Sequence, residues 1–310
     1  MPGQGQSETN DAAEPTPRSS PLPIDPYEQA RETEVILYFK HEIADFLVPE
    51  SRVVTQEKKS TEQIIVEEVL KGPQGFYRVQ VMPPGTEIID VTRRSDTVFV
   101  NLTDDFLHPI DLSVIPGKEN IPEEDIPQVQ AEMKRLAIYS IVNSLTYLDG
   151  VNQVKLMINN TQLSYKEMGA ELLLLDNPAA DADSPMTAIR RNKNVLQSPA
   201  RITRIFFNAL TAEPNWDMLY PFLSSKTMDG ENLPTLDEFK AQVPTIVGGM
   251  ISFEGNPVLE EEYLINKAFV TVKYTDHTTD ALKEVTEVLT LDYIDGIWKL
   301  RLPAFLSQFR

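Results

Sequence analysis

The chain has 310 residues, 47 acidic against 28 basic side chains, a formal charge of -19, 41% hydrophobic content and no cysteine. Such a charge repels nucleic acid and anionic lipid, and no local run of basic residues overrides it. The missing cysteines exclude disulfides, thiolate zinc sites and cysteine nucleophiles.

The length suits two ordinary domains with a tail to spare, and no run approaches the ~18 apolar residues of a membrane helix. Residues 1–32, rich in Pro, Ser, Gln and Glu, offer almost nothing to bury and read as a disordered tether. A membrane anchor cut away and an ordinary ragged N-terminus would both leave such a segment. Residues 34–40, β-branched and aromatic in succession, predict an inner strand, and 46–54 predict a shorter extended piece broken by Pro49. Ser60 and Gln63 fit a capping box. The helix they open carries Ile65, Val66, Val69 and Leu70 inward and stops at Gly72-Pro73.

Residues 76–82 read as extended, and 87–92 and 97–102 as a hairpin. A long connection containing Pro109, Pro116, Pro122 and Pro127 leads to the helix around which this half is organised. Val129, Met133, Leu136, Ala137, Ile141, Leu145 and Leu148 recur there at steps of three and four, one buried stripe of a helix. Gln130, Glu132, Lys134 and Arg135 are expected on its wet side, Gly150 at its stop, and 154–158 as an inner strand. This order predicts an α+β sandwich of one sheet with helices on one face.

Several fragments in this half resemble the GerM domain of bacterial spore germination and sporulation lipoproteins. They are Leu70-Lys71-Gly72-Pro73, the Pro84-Gly85-Thr86 turn, the run from Val100 through Asn101 to Phe106, and the run from Ile141 to Thr146 followed by Val151-Asn152-Gln153-Val154. Asn101 stands where an aspartate is more usual, and Ser144 where threonine is frequent. The resemblance covers roughly residues 33–165. It implies a small α/β sandwich, similar to the ring-building domains of secretion and sporulation machines, held outside the cytoplasmic membrane by a lipid on a cysteine. This sequence has no such cysteine.

From 166 to 199 periodicity fades, and the segment reads as an extension and linker, with the four leucines 172–175 packed against the first domain. The second domain, 200–310, opens with a helical stripe of Ile202, Ile205, Phe206, Ala209 and Leu210 capped by Ser198 and Pro199. Trp216, Leu219, Tyr220, Phe222 and Leu223 predict a second helix and corner, and 236–243 a third helix. The period then changes to two: strands are predicted at 250–254, 263–274, 285–294 and 297–302, the last two joined by Asp295-Gly296. Trp298, Leu300 and Leu302 share one face. Helices followed by a curved antiparallel sheet look like the NTF2-like cone.

Reactive constellations are absent from the sequence. His41, His108 and His277 lack a second ligand at zinc spacing. His41 is expected to pair with Asp45 on a surface, and the other two to be solvated. No nucleophile elbow, P-loop or dinucleotide fingerprint occurs. Gly248-Gly249 reads as a bend, and the acidic clusters at 123–125, 181–183 and 260–262 as solvated faces without EF-hand spacing. An NTF2-like cone offers one chemical alternative, a small-ligand or acid–base site using Tyr220, Tyr263, Tyr274 or Asp292.

The reading is therefore a non-enzymatic protein with no catalytic, cofactor or metal residues. It is expected to act through protein partners or self-association, outside the cytoplasm and membrane-anchored, in sporulation or spore germination.

Overall fold

In the computed structural model, residues 31–56, 58–212, 214–242, 249–277 and 282–307 are described. The expected tether lies outside them except for Arg31 and Glu32, which already belong to the first strand.

The chain is mixed α+β and builds three sheets. In the first, β1 (Arg31–His41) lies between β2 (Leu47–Gln56) and the short β3 (Arg78–Val79), antiparallel to both. Helix α1 (Thr61–Lys71) follows β2, with Ser60 Oγ accepting from the Gln63 amide at 3.2 Å. The second sheet runs β4 (Ile88–Arg94), β5 (Thr97–Leu102), β6 (Gln153–Ile158), β7 (Ile189–Arg190). Strands β5 and β6 are parallel, so the chain must cross between them, and helix α2 (Ile126–Leu145) makes that crossing.

The single sheet expected for this half is thus two. Pro83 and Pro84 contribute no amide donors and Gly85 turns at φ +82, so the backbone leaving β3 cannot continue a ladder and β4 starts a new one.

The third sheet has the order β10 (Val258–Tyr263), β11 (Lys267–Asp276), β12 (Lys283–Ile294), β13 (Ile297–Leu302), β8 (Leu223–Thr227), with β9 (Ile251–Ser252) beside β11. The strand expected over 263–274 is two strands, because the Leu264 amide donates back to Lys267 O at 2.7 Å and closes a hairpin there. Helices α3 (Pro199–Leu210), α4 (Trp216–Leu219), α5 (Leu236–Gln242) and α6 (Ala304–Ser307) complete this half. The expected bend at Gly248-Gly249 falls partly outside the described residues.

Two buried clusters result. The first gathers β1, α1, α2, β5 and β6, and it also takes Met168, Leu173, Met186 and Val195. The segment expected as extension and linker therefore lies against this core, where each such side chain is worth roughly 1.5–3 kcal/mol. The second cluster packs Ile202, Phe206, Phe207 and Leu210 of α3 onto Val270, Leu289, Leu291 and Leu300 of the third sheet. Ala44 and Phe46, from the turn of the β1–β2 hairpin, and Val48, at the start of β2, belong to this second cluster although their neighbours Phe39 and Leu47 belong to the first.

Lys134, expected in water, is buried. The connection 104–125 folds across α2, and the lysine ammonium donates to the carbonyl oxygens of Phe106 and His108 above the Phe106 ring. Gln130 holds the same connection by bonding both backbone groups of Ile110, at 2.9 and 2.8 Å.

Candidate functional site

The junction between the two cores is built on the hairpin turn 41–46. His41 is buried, and its Nδ1 accepts from the amides of Ile43 and Ala44, both at 3.2 Å. That fixes the neutral ring with its proton on Nε2. Burial, reinforced by the charge of Lys40, pushes its pKa down to about 3. The expected surface pairing with Asp45 does not occur. It is Lys40, also buried, whose Nζ approaches Asp45 at 3.7 Å while donating to His41 O at 2.8 Å. The imidazole is a turn cap and a packing surface, since its ring lies 5.1 Å from that of Phe46.

Side chains from each half reach across to backbone of the other. Arg78 donates to Pro49 O and to Asp295 O, both at 2.7 Å. Gln197 accepts from the Trp298 amide at 3.1 Å and donates to Gly296 O. Arg201 donates to Asp45 O at 2.8 Å and lies over the Phe46 ring. Glu50 anchors the loop before β3, accepting from the amides of Gln74 and Gly75 and from Arg52, whose guanidinium also meets Glu68 at 2.8 Å. The loop so held presents Phe76 with 85% of its surface exposed.

The two edges of β1 are treated differently. On the edge away from β2, where the short β3 stops short of Tyr38, α2 supplies hydroxyls one turn apart: Ser144 Oγ accepts from the Tyr38 amide at 2.9 Å and Ser140 donates to its carbonyl. On the far side, β2 is the rim of the first sheet. Its Leu47 bonds outward to Val195 and Gln197, so by alternation Ser51, Val53 and Thr55 also turn their backbone groups away from β1. Those groups have no backbone partner among the described residues. Val53 is 68% exposed. Between this edge and α1 lies a groove of about 730 Å³, walled by Lys58, Lys59, Glu67 and Lys71.

The remaining candidates are scattered. His108 is exposed beside Asp105 at 3.4 Å, and His277 is exposed with its Nε2 2.7 Å from Ser252 Oγ. Tyr220 donates to Pro234 O at 2.5 Å. Tyr274 donates to Glu287 at 2.8 Å, and burial raises the pKa of both groups. Asp292 accepts from Ser224 at 2.6 Å and from Arg301 at 2.9 and 3.0 Å, and these bonds outweigh its burial to hold the carboxyl below its usual range. Tyr263 is half exposed against the Trp298 ring, and burial pushes its pKa to about 12. Each has its own partner, and the four do not converge on one cavity. Among the described residues no group of His, Asp or Glu could hold a metal ion, and no helix is long and apolar enough to cross a membrane.

The two departures from the GerM pattern have structural employment. Buried Asn101 exchanges bonds with Asn160, at 2.8 Å to its side chain and 2.9 Å from its amide, and Ser144 closes the edge at Tyr38. The i, i+4 pair of serines in α2 was the available sequence signal for that edge.

Residues 36–164 match the family model described as sporulation and spore germination. The tandem GerMN domains of the sporulation protein GerM from Bacillus subtilis superpose with a TM-score of 0.37 at 13% identity, over 57% of this chain and 51% of that one. The chain thus spans about half the length of that relative. The first GerMN domain of the same protein gives 0.31 at 15% identity, over 52% of this chain and 98% of that one. No curated protein matches. Both superpositions are loose, so the assignment rests on the sequence match: residues 36–164 are a domain of the sporulation and spore germination family that includes GerM.

Proposed function

We propose that this chain is a non-enzymatic, extracytoplasmic lipoprotein of the GerM family that serves assembly in sporulation or spore germination through protein contacts. The observation that carries this reading is the unpaired rim of β2. Three outward backbone positions in a row, an exposed valine between them and a groove behind them are what an added strand requires. The family match supports the process, and the anchoring and compartment follow from it as expectations. The second half, in this reading, is an NTF2-like cone that adds surface. Its interior is occupied by Phe206, Phe207, Phe222 and Trp298, which favours a packed body over a ligand chamber.

Val53→Pro tests the rim, because it removes an amide that points away from β1 and leaves the β1 ladder intact. Cross-linking in sporulating cells should join residues 51–59 to a neighbour or a second copy, and the variant should lose those cross-links while melting as the parent does. A strictly monomeric protein that captures nothing at this rim, or a variant that keeps every contact, would overturn the reading.

A further inference from the structure

A second cleft, of about 580 Å³, lies where α2 meets the segment 165–194, and nothing above uses it. Its volume falls in the ~300–1,000 Å³ range of small-ligand sites, but its walls are polar: Tyr139, Tyr165, Asp176, Arg190, Arg191 and Asn192. A polar cleft selects a polar guest.

Asn192 is 9% exposed, and its orientation is fixed. Its Oδ1 accepts from the Asn194 amide at 2.8 Å, a bond only oxygen can accept, so Nδ2 occupies the other arm. Its backbone is clamped by Asn143, whose side chain both accepts from and donates to it at 3.0 Å. Nδ2 lies beside the Tyr139 hydroxyl, which already donates to Asp176, but completes no hydrogen bond of its own. A buried amide donor without an acceptor is a costly arrangement.

The charges around it are also unmatched. Asp176 spends Oδ2 on Tyr139 at 2.8 Å and Arg135 at 3.1 Å, while its Oδ1 makes no hydrogen bond among the described residues. Arg191 donates to Asn143 O and the Tyr38 hydroxyl and stacks over the Tyr38 and Tyr147 rings. Neither Arg190 nor Arg191 forms an ion pair among the described residues. Two guanidinium groups, those of Arg190 and Arg191, therefore line the cleft with one carboxylate, Asp176, in a chain whose net charge is -19.

We infer that this cleft binds a sugar acid, a carboxylate carried on a hydroxylated ring of monosaccharide size. The carboxylate meets Arg190 and Asn192 Nδ2, and ring hydroxyls donate to Asp176 Oδ1 and bond the Tyr165 hydroxyl. A bare anion would leave Asp176 facing like charge, and a neutral sugar would leave the guanidinium groups unmatched, so both features are needed together.

Amide NMR of the whole chain titrated with D-glucuronate tests this, with D-glucose and acetate as separate arms. Glucuronate should shift the amides of residues 176 and 190–194 saturably and bind about tenfold tighter than either control. Asn192→Asp keeps the Oδ1 bond to Asn194 but removes the donor, and it should weaken binding by about tenfold or more. Arg190→Gln, at an exposed position, should weaken it by about tenfold without moving the thermal midpoint. The absence of a saturable shift, glucose or acetate matching glucuronate, or Arg190→Gln binding as tightly as the parent would each overturn the inference. Should Asn192→Asp fail to fold, Arg190→Gln still decides the matter.

Discussion

The rings of His41 and Phe222 stack with centroids 5.1 Å apart at an interplanar angle of 22°. One residue ends β1 and the other comes from the corner before β8, so this stack ties the end of the first strand to the second core through a ring that must stay uncharged.

Stability should therefore fall in acid through His41. Burial, with Lys40 adding to it, holds its pKa near 3 against 6.5 in the unfolded chain. Between those values the unfolded chain binds the proton that the fold excludes, so stability present above pH 6.5 is lost as pH drops through the window. At pH 4.5 the loss is about 2–3 kcal/mol. His41→Asn keeps an acceptor for Ile43 and Ala44 and removes the titration. Urea unfolding of both proteins at pH 7 and 4.5 should show the larger drop in the parent, and equal drops would remove His41 from the account.

Lys134 should act at the other end of the scale. Burial lowers its pKa to about 8 from 10.5. The unfolded chain holds more protons between these values, so stability rises with pH across them. From pH 7.5 to 9.5 the parent should gain about 1–2 kcal/mol relative to Lys134→Met, which conserves the buried stem without the charge. Parallel denaturation curves at the two pH values measure it, and a parent that gains nothing over the variant would contradict the burial described.

Gly296 carries strain and contact together. Asp295 and Gly296 turn at φ 52 and 80, the left-handed pair of a two-residue hairpin. A methyl at 296 would lie 2.8 Å from Pro49 O and 2.8 Å from the Arg78 guanidinium, whereas Gly255, at φ +68, has nothing within 4 Å. Gly255→Ala should cost about 1 kcal/mol from backbone strain alone. Gly296→Ala should cost about 2–4 kcal/mol, because the junction must also open. Thermal midpoints compare them, and equal costs would mean that the hairpin does not bear on Pro49.

Much of the fold was legible because it is written locally. The evenly apolar run of β1, the cap at Ser60, the stripe of α2 and the Asp295-Gly296 turn each announce their element within a few residues. What escaped depends on partners far along the chain. Lys134 sits on the polar side of its helix by spacing, and only the connection arriving at Phe106 takes it out of water. His41 looks like a strand end until Phe222 covers it. Strand β8, Leu-Ser-Ser-Lys-Thr, has no apolar alternation and exists because β13 offers it a parallel edge. The polar cleft was invisible for the same reason: Asp176 and Asn192 flank a stretch that looks like linker, and their shared wall is α2. At the rim of β2 the sequence showed a strand but not which side of it would stay open.

The hairpin turn that serves both cores has a practical corollary for anyone dissecting the molecule. A fragment cut at the family boundary near residue 164 would carry Ala44, Phe46 and Val48 as a greasy stump, and the complementary fragment would arrive with a hole where that stump belongs. Severed this way, each piece becomes sticky toward the other, and the natural unit for expression is the pair.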